Sequence, residues 1–507
     1  MQIEVGKNTK RNILYGVLNR MVLLVLPFVM RSIINITLGA EYLGLNSLFS
    51  SILTVLSLTE MGISSALVYH MYKPIAEGDT SLLCALLNFY KKAYRTIGTV
   101  ILIAGCVLIP FLPSLIKGGC PDDVNLTTIY LIQLLSTSIS YFINGYKQAL
   151  LVAYQRDDVN SILNLFVQLG MQIIQVLILL LTHNYYLYTI CLPVFTVINN
   201  IWIGIITNKL FPEIRCHGKL ESETLENIKK LVIGTFIQKA CGVTRNALDS
   251  ICISAFIGLT LNGMYNNYYT IFNGVTVALS IISNSLSGGI GNHVAIKSVD
   301  ENFAELKQLD FLYLSISGWC TICLLCLSQP FMSLWMGKNM LLDLRSVVLM
   351  SGYFYLLKMG DMRSIYNAAN GLWWKMKYRS IIETLMNIVL NIVLGYYYGI
   401  HGIIGATMIS LFLCNFLWGS SILFEDYFGK AKLKSYYCYQ SIYAVFVILF
   451  CFITYILCSL INIDGFTKLF VNGVICVIVP GVFFLLFVTK SKIYKNSLNM
   501  VKGGKNG

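Results

Sequence analysis

The chain has 507 residues, 56% of them hydrophobic and only 12% charged, with mean hydropathy +0.69 and formal net charge +13. This composition excludes a soluble domain of such size, and the lack of alternating segments of about ten residues excludes a transmembrane barrel. An all-α polytopic membrane protein is expected. The positive charge is assigned to basic loops, because no basic stripe interleaved with stacking aromatics marks a nucleic-acid surface.

Met1–Arg11 is polar and basic, with no small-residue cleavage site before a short apolar core, so the first helix is expected to direct insertion itself. About fourteen apolar spans follow. They run 12–37, 43–70, 95–116, 126–153, 159–182, 185–208, 230–257, 261–292, 310–336, 343–370, 380–400, 402–424, 437–461 and 466–489. Links on one side are short: 38–42, 117–125, 183–184, 258–260, 337–342, around 401, and 462–465. The other side carries longer, charged links, the longest being Lys209–Lys229 with Pro212. That side, which holds both termini, has 26 Lys and Arg against four on the other, so both termini are expected in the cytoplasm.

A shift of 219 positions brings the chain onto itself. Gly39 meets Gly258, Gly44 meets Gly263, and Asn19-Arg20 meets Gln238-Lys239. Ile52 meets Ile271, Ala149 meets Ala368, and Ser161-Ile162 meets Ser380-Ile381. Tyr154-Gln155-Arg156 meets Trp373-Trp374-Lys375. An even number of spans separates the copies, which makes a parallel repeat about an axis along the membrane normal. The expected organisation is a six-helix lobe over 1–208, a cytoplasmic linker over 209–229, a second six-helix lobe over 230–428, and a helix pair with a basic tail over 429–507.

Charges inside spans are costly and mark cavity walls or ion pairs. Seven are basic (Arg20, Arg31, Lys147, Lys239, Arg245, Lys358 and Arg363) and four acidic (Glu60, Asp249, Asp361 and Glu383). Arg20 and Arg31 share a helix face, as do Arg245 and Asp249 one turn apart. The bland alternative is packing ion pairs or end residues snorkelling to the interface. In a wet lumen the seven cations form an anion site suited to phosphate, and Glu60, Asp249 and Asp361 are candidates for ion coupling. Asn, Gln, Ser and Tyr in the spans, among them Asn46, Gln133, Asn144, Gln168 and Asn267, suit glycan hydroxyls as well as helix–helix contacts.

Cys320, Cys323 and Cys326 lie at metal-like spacing in the ninth span, yet no His or acid is close in sequence, so packing thiols and no metal are expected. The five histidines make no HxxxH or HExxH pattern, and no GxSxG or P-loop motif occurs. No cofactor is expected. Transport would draw on a proton or sodium gradient, or on consumption of the substrate.

Leu38-Gly-Ala-Glu-Tyr-Leu-Gly-Leu, Ser57-Leu-Thr-Glu-Met-Gly-Ile-Ser-Ser-Ala66 and Tyr72-Lys-Pro74 resemble the N-terminal part of bacterial polysaccharide transporters. These are the O-antigen and capsule flippases (Wzx type) of the multidrug/oligosaccharidyl-lipid/polysaccharide exporter superfamily. The resemblance is most specific over residues 10–80, where Glu60 stands one position further from Gly62 than in the common pattern. It implies a non-enzymatic flippase of the bacterial cytoplasmic membrane that moves an undecaprenyl-pyrophosphate-linked oligosaccharide to the outer leaflet. It also implies membrane lipids, a polysaccharide polymerase and glycosyltransferases as partners. The rivals are a peptidoglycan-precursor (lipid II) flippase or drug exporter of the same superfamily and, more remotely, an integral-membrane polysaccharide polymerase. The basic surplus and the last two spans count against a drug exporter. No external link is long enough for a polymerase's catalytic loop.

Overall fold

A computed structural model describes residues 5–60 and 63–484, the side chains of 5–10, 13, 17, 59, 65, 227, 230, 231, 233–235 and 237–239 excepted. Among the described residues the chain is helices joined by mostly short links, without strands. By its contacts it divides into two compact units, Met1–Gly263 and Met264–Gly507.

Unit 1 holds α1 (Val5–Thr37), α2 (Ala40–Leu56), α3 (Ile63–Glu77), α4 (Thr80–Leu108), α5 (Leu126–Phe142), α6 (Gln148–Ala153), α7 (Asp157–Thr182), α8 (Tyr185–Leu210) and α9 (Ser222–Phe256), with the first turn of α10 (Leu259–Ile296). Its division falls beyond the 209–229 link because α9 packs on α2 and α3. The Ser254 carbonyl on α9 also accepts the Lys117 N–H. The sequence repeat has a local counterpart here. Leu38 and Gly39 N–H groups both donate to the Ile34 carbonyl, and Ile257 and Gly258 both donate to that of Ile253, 219 positions on. Gly39 and Gly258 take φ of 109° and 133°, which only glycine adopts without strain, so each chain reverses at once into the next helix. At Gly44 a Cβ would lie 1.9 Å from the Leu259 carbonyl oxygen, and the close approach lets Asn262 Nδ2 donate to the Gly44 carbonyl at 3.0 Å.

Unit 2 holds the rest of α10, α11 (Val299–Trp335), α12 (Leu344–Met359), α13 (Asp361–Ala369), α14 (Trp373–Ser410), α15 (Gly419–Leu423), α16 (Lys430–Ser459) and α17 (Gly465–Phe483). α11 starts well before its expected span because a Ser298/Glu301 capping box satisfies its first N–H groups. α4 likewise starts early, where Asp79 accepts the Leu82 N–H. α14 runs through two expected spans, kinked at Gly399 (φ 58°, ψ −136°). It continues into π-helical turns at Leu411–Trp418 and Phe424–Phe428.

Each expected span overlaps helix, with interruptions at 143–144 and 360 and a few non-helical end residues, and 61–62 and 485–489 lie outside the described residues. Among the described residues nine helices are long and apolar enough to cross a membrane, or ten if α5 and α6, bent by 52°, form one crossing. The difference from fourteen has local causes. α2 ends in a 3-10 turn at Ser57–Glu60, α12 and α13 break at Gly360, α9 is diluted by charge, and α14 merges two spans. The outward faces are apolar, with Ile36, Leu181, Val445 and Phe452 among the most exposed side chains, as a lipid-facing surface requires.

Candidate functional site

Two polar clusters form where a helix breaks, one in each unit. In unit 1 the 3-10 turn at the end of α2 carries Glu60 towards α4 and α5. Its carboxylate accepts the Tyr94 hydroxyl from α4 and, at 2.5 Å, the Tyr141 hydroxyl from α5. Both rings are buried, and Tyr90, Tyr94 and Tyr141 pack in series with centroids 4.5 and 5.2 Å apart. Phenolic donors fit a carboxylate within an aromatic wall, since they satisfy its lone pairs without adding charge.

In unit 2 the break at Gly360 places Asp361 at the start of α13. Asp361 Oδ2 accepts Lys358 Nζ at 2.8 Å and the Tyr313 hydroxyl at 2.5 Å. Lys358 is only 2% exposed, so the carboxylate compensates a buried ammonium. Asp361 opens onto a cleft of about 590 Å³ whose polar wall is Ser280, Ser283, Asn284 and Ser287 from α10 and Ser364 from α13. This wall offers hydroxyl and amide partners to a polar solute. Tyr94 and Tyr313 stand 219 positions apart, so the two clusters share one repeat-related tyrosine. None of the three tyrosines in these two clusters stands among the expected site residues, although the 219-residue offset pairs two of them.

The other expected site residues are distributed. Arg20 is exposed on α1. Arg31 donates to Ser47 Oγ at 3.4 Å and to the Gly263 carbonyl at 3.1 Å. Lys147 donates to Asn208 Oδ1 at 2.7 Å and, with Lys91 and Arg215, lines a separate unit 1 cleft of about 490 Å³. Arg245 and Asp249 are both buried, one turn apart on α9. The Lys239 side chain lies outside the described residues. Arg363 is 1% exposed, its guanidinium donating to the carbonyls of Asn415 and Phe416, to Asn415 Oδ1 and to Ser420 Oγ. These carbonyls belong to the wide π-helical turn, so Arg363 serves that turn's backbone rather than the cleft beside Asp361. Glu383 pairs with Arg379 at 2.8 Å.

Unit 2 also carries an apolar groove of about 700 Å³ between α11, α16 and α17, walled by Phe311, Trp319, Phe446, Phe450 and Phe483.

The helical arrangement matches solved structures of known transporters. One is "Lipid II flippase MurJ, inward closed conformation", with TM-score 0.66 and 16% identity over 94% of this chain and 98% of that one. Another is the inward-facing conformation of a multidrug resistance MATE family transporter of the MOP superfamily, with TM-score 0.62 and 14% identity over 81% and 96%. A third is the Vibrio cholerae MATE transporter VcmN D35N mutant, with TM-score 0.54 and 13% identity over 84% and 98%. The chain has the fold of MOP-superfamily transporters. No protein-family model and no curated relative matches it.

Proposed function

We propose that the chain is a flippase that carries an undecaprenyl-pyrophosphate-linked oligosaccharide across the bacterial cytoplasmic membrane by alternating access, for surface-polysaccharide synthesis. The observation that carries this reading is the breadth of the MurJ likeness, which takes in 94% of this chain where the inward-facing MATE transporter takes in 81%. A lipid-linked substrate has three chemically distinct parts, and the chain offers a surface suited to each. The apolar groove beside α16 and α17 suits the polyprenyl tail. The Ser/Asn wall beside Asp361 suits glycan hydroxyls. For the pyrophosphate we assign Arg20, Lys239 and Arg245, whose guanidinium and ammonium groups are the natural partners of phosphate oxygens. The basic side with its 26 Lys and Arg is the cytoplasmic one in this reading, with both termini on it.

Replacing both Arg20 and Arg245 by alanine is expected to abolish surface polysaccharide while membrane protein levels stay unchanged. Polymer at the wild-type level in that double variant removes the phosphate assignment. The MurJ likeness equally favours lipid II as substrate, and reconstitution separates the two. Proteoliposomes should move a pyrophosphate-linked repeat unit at least about tenfold faster than lipid II, a discrimination of about 1.4 kcal/mol. The reverse order gives the chain to peptidoglycan.

A further inference from the structure

Five of the 15 cysteines converge in unit 2. Cys326 on α11, Cys458 on α16 and Cys476 on α17 are each no more than 4% exposed, and their sulfur atoms lie within 4.8 Å of one another. Cys323, one turn before Cys326, and Cys451 pack against them. Three helices thus deliver three thiols to one point, with a fourth on the same face of α11. Two further polar groups sit beside this cluster. Thr454 and Asn472, each one turn before a cluster cysteine on α16 and α17, are 0% and 2% exposed. Thr454 Oγ1 and Asn472 Oδ1 have no hydrogen-bond partner among the described residues. A buried polar atom without a partner calls for an explanation, and a bound ion or water nearby is one.

We propose that Cys326, Cys458 and Cys476 form a structural site for one zinc ion, which joins α16 and α17 to α11. An all-sulfur donor set selects thiophilic ions. Zn–S bonds of about 2.3 Å in tetrahedral array place sulfurs about 3.8 Å apart, so the thiols need close by only about 1 Å. Charge selects the valence. Three thiolates around a divalent ion leave a net charge of −1, and around a monovalent ion −2, which apolar surroundings penalise more heavily. On loading, three S–H bonds give up their protons to water and three Zn–S bonds form, with no change of oxidation state. Cys323 or a water molecule completes the fourth position. Entry is from the end of α16, because Cys458 lies in its last turn beside the exposed residues 462–465.

The test uses the full chain, purified reduced in detergent, loaded with zinc and freed of unbound metal by gel filtration. Elemental analysis is expected to find about one zinc per chain in the wild type and in a Cys84→Ser control. Retention should fall about tenfold or more in Cys458→Ser and in Cys326→Ser/Cys458→Ser/Cys476→Ser. X-ray absorption on the zinc-loaded wild type, which needs no variant to fold, should show a sulfur-dominated shell near about 2.3 Å. Zinc retention by the wild type no greater than by the triple variant overturns the proposal. So does a shell of nitrogen and oxygen alone, or an intact mass two daltons low, which marks a disulfide. A wild type that retains Cu(I) but no zinc overturns the divalent assignment.

Discussion

The clusters around Glu60 and Asp361 use one repeat-related tyrosine in two different electrostatic settings. Tyr94 and Tyr313 are 219 positions apart, and each donates to a carboxylate at a helix break. The carboxylates themselves are not repeat-related: Glu60 ends α2, whereas Asp361 opens α13. Glu60 has two tyrosine hydroxyls and, among the described residues, no ion pair. Asp361 has one tyrosine and the buried Lys358 ammonium. At this offset the hydroxyl donor is common to both clusters, while the charge balance around it differs. A carboxylate paired with a buried ammonium must break that ion pair before it can hold another cation. One that faces only neutral donors can exchange a cation without first breaking an ion pair.

The largest expected effect follows from this asymmetry. Asp361→Asn removes the negative charge from beside Lys358, and removing one partner of a buried pair costs about 3 kcal/mol or more. The lower end applies, because the Asp361 side chain keeps 24% of its exposure. Thermal unfolding in detergent should report a clear loss of stability. Lys358→Met combined with Asp361→Asn should recover most of it, because no unpaired charge then remains. If the single variant is as stable as the wild type, Lys358 is compensated from elsewhere and the contrast between the clusters fails.

An intermediate effect separates the tyrosines. Tyr313→Phe and Tyr94→Phe each remove one hydroxyl donor from a charged acceptor, worth about 1.5–3 kcal/mol. Each carboxylate retains one strong partner, so both single variants should fall near the lower figure. In Tyr94→Phe/Tyr141→Phe both hydroxyls at Glu60 are gone, and the loss should exceed the sum of the two single losses. An additive double variant means that water already shares the carboxylate.

The helices were legible in the sequence and their interruptions were not. Mean hydropathy over about 20 residues finds where a membrane can be crossed. It is blind to a 3-10 turn at Ser57–Glu60, a break at Gly360, or the continuity of α14 through Gly399, which are set by a few backbone dihedrals. The same holds for charge. Composition marks Arg363 and Lys358 alike as costly residues within spans. Only the fold shows that Arg363 faces the carbonyls of a π-helical turn while Lys358 faces a carboxylate. The turns at Gly39 and Gly258 were readable because glycine at a fixed offset records a backbone need directly. Cys458 and Cys476 join Cys326 from helices more than 130 positions away, a separation that spacing rules for metal sites do not span.

The smallest effect on stability, and the most informative for transport, belongs to Glu60→Gln. Glutamine keeps the size of the side chain and a carbonyl oxygen that accepts Tyr94 or Tyr141, and it leaves no cation unpaired. The change should cost under about 1 kcal/mol, within the range of a single neutral hydrogen bond. The variant is therefore expected to reach the membrane and bind lipid-linked substrate as the wild type does. If Glu60 carries the coupling ion, substrate movement in proteoliposomes should lose its response to an imposed proton or sodium gradient while the gradient-independent rate persists. Asp361→Asn is a poor substitute for this measurement, because its loss of stability lowers the amount of folded protein and confounds the rate. Asp249→Asn, with its rate normalised to folded protein because Asp249 is likewise buried beside a cation, Arg245, is the comparison for the same role on α9. Gradient dependence that survives Glu60→Gln but vanishes in Asp249→Asn moves the coupling to α9. Wild-type movement that ignores both gradients makes Glu60 a structural partner of two tyrosines and nothing more.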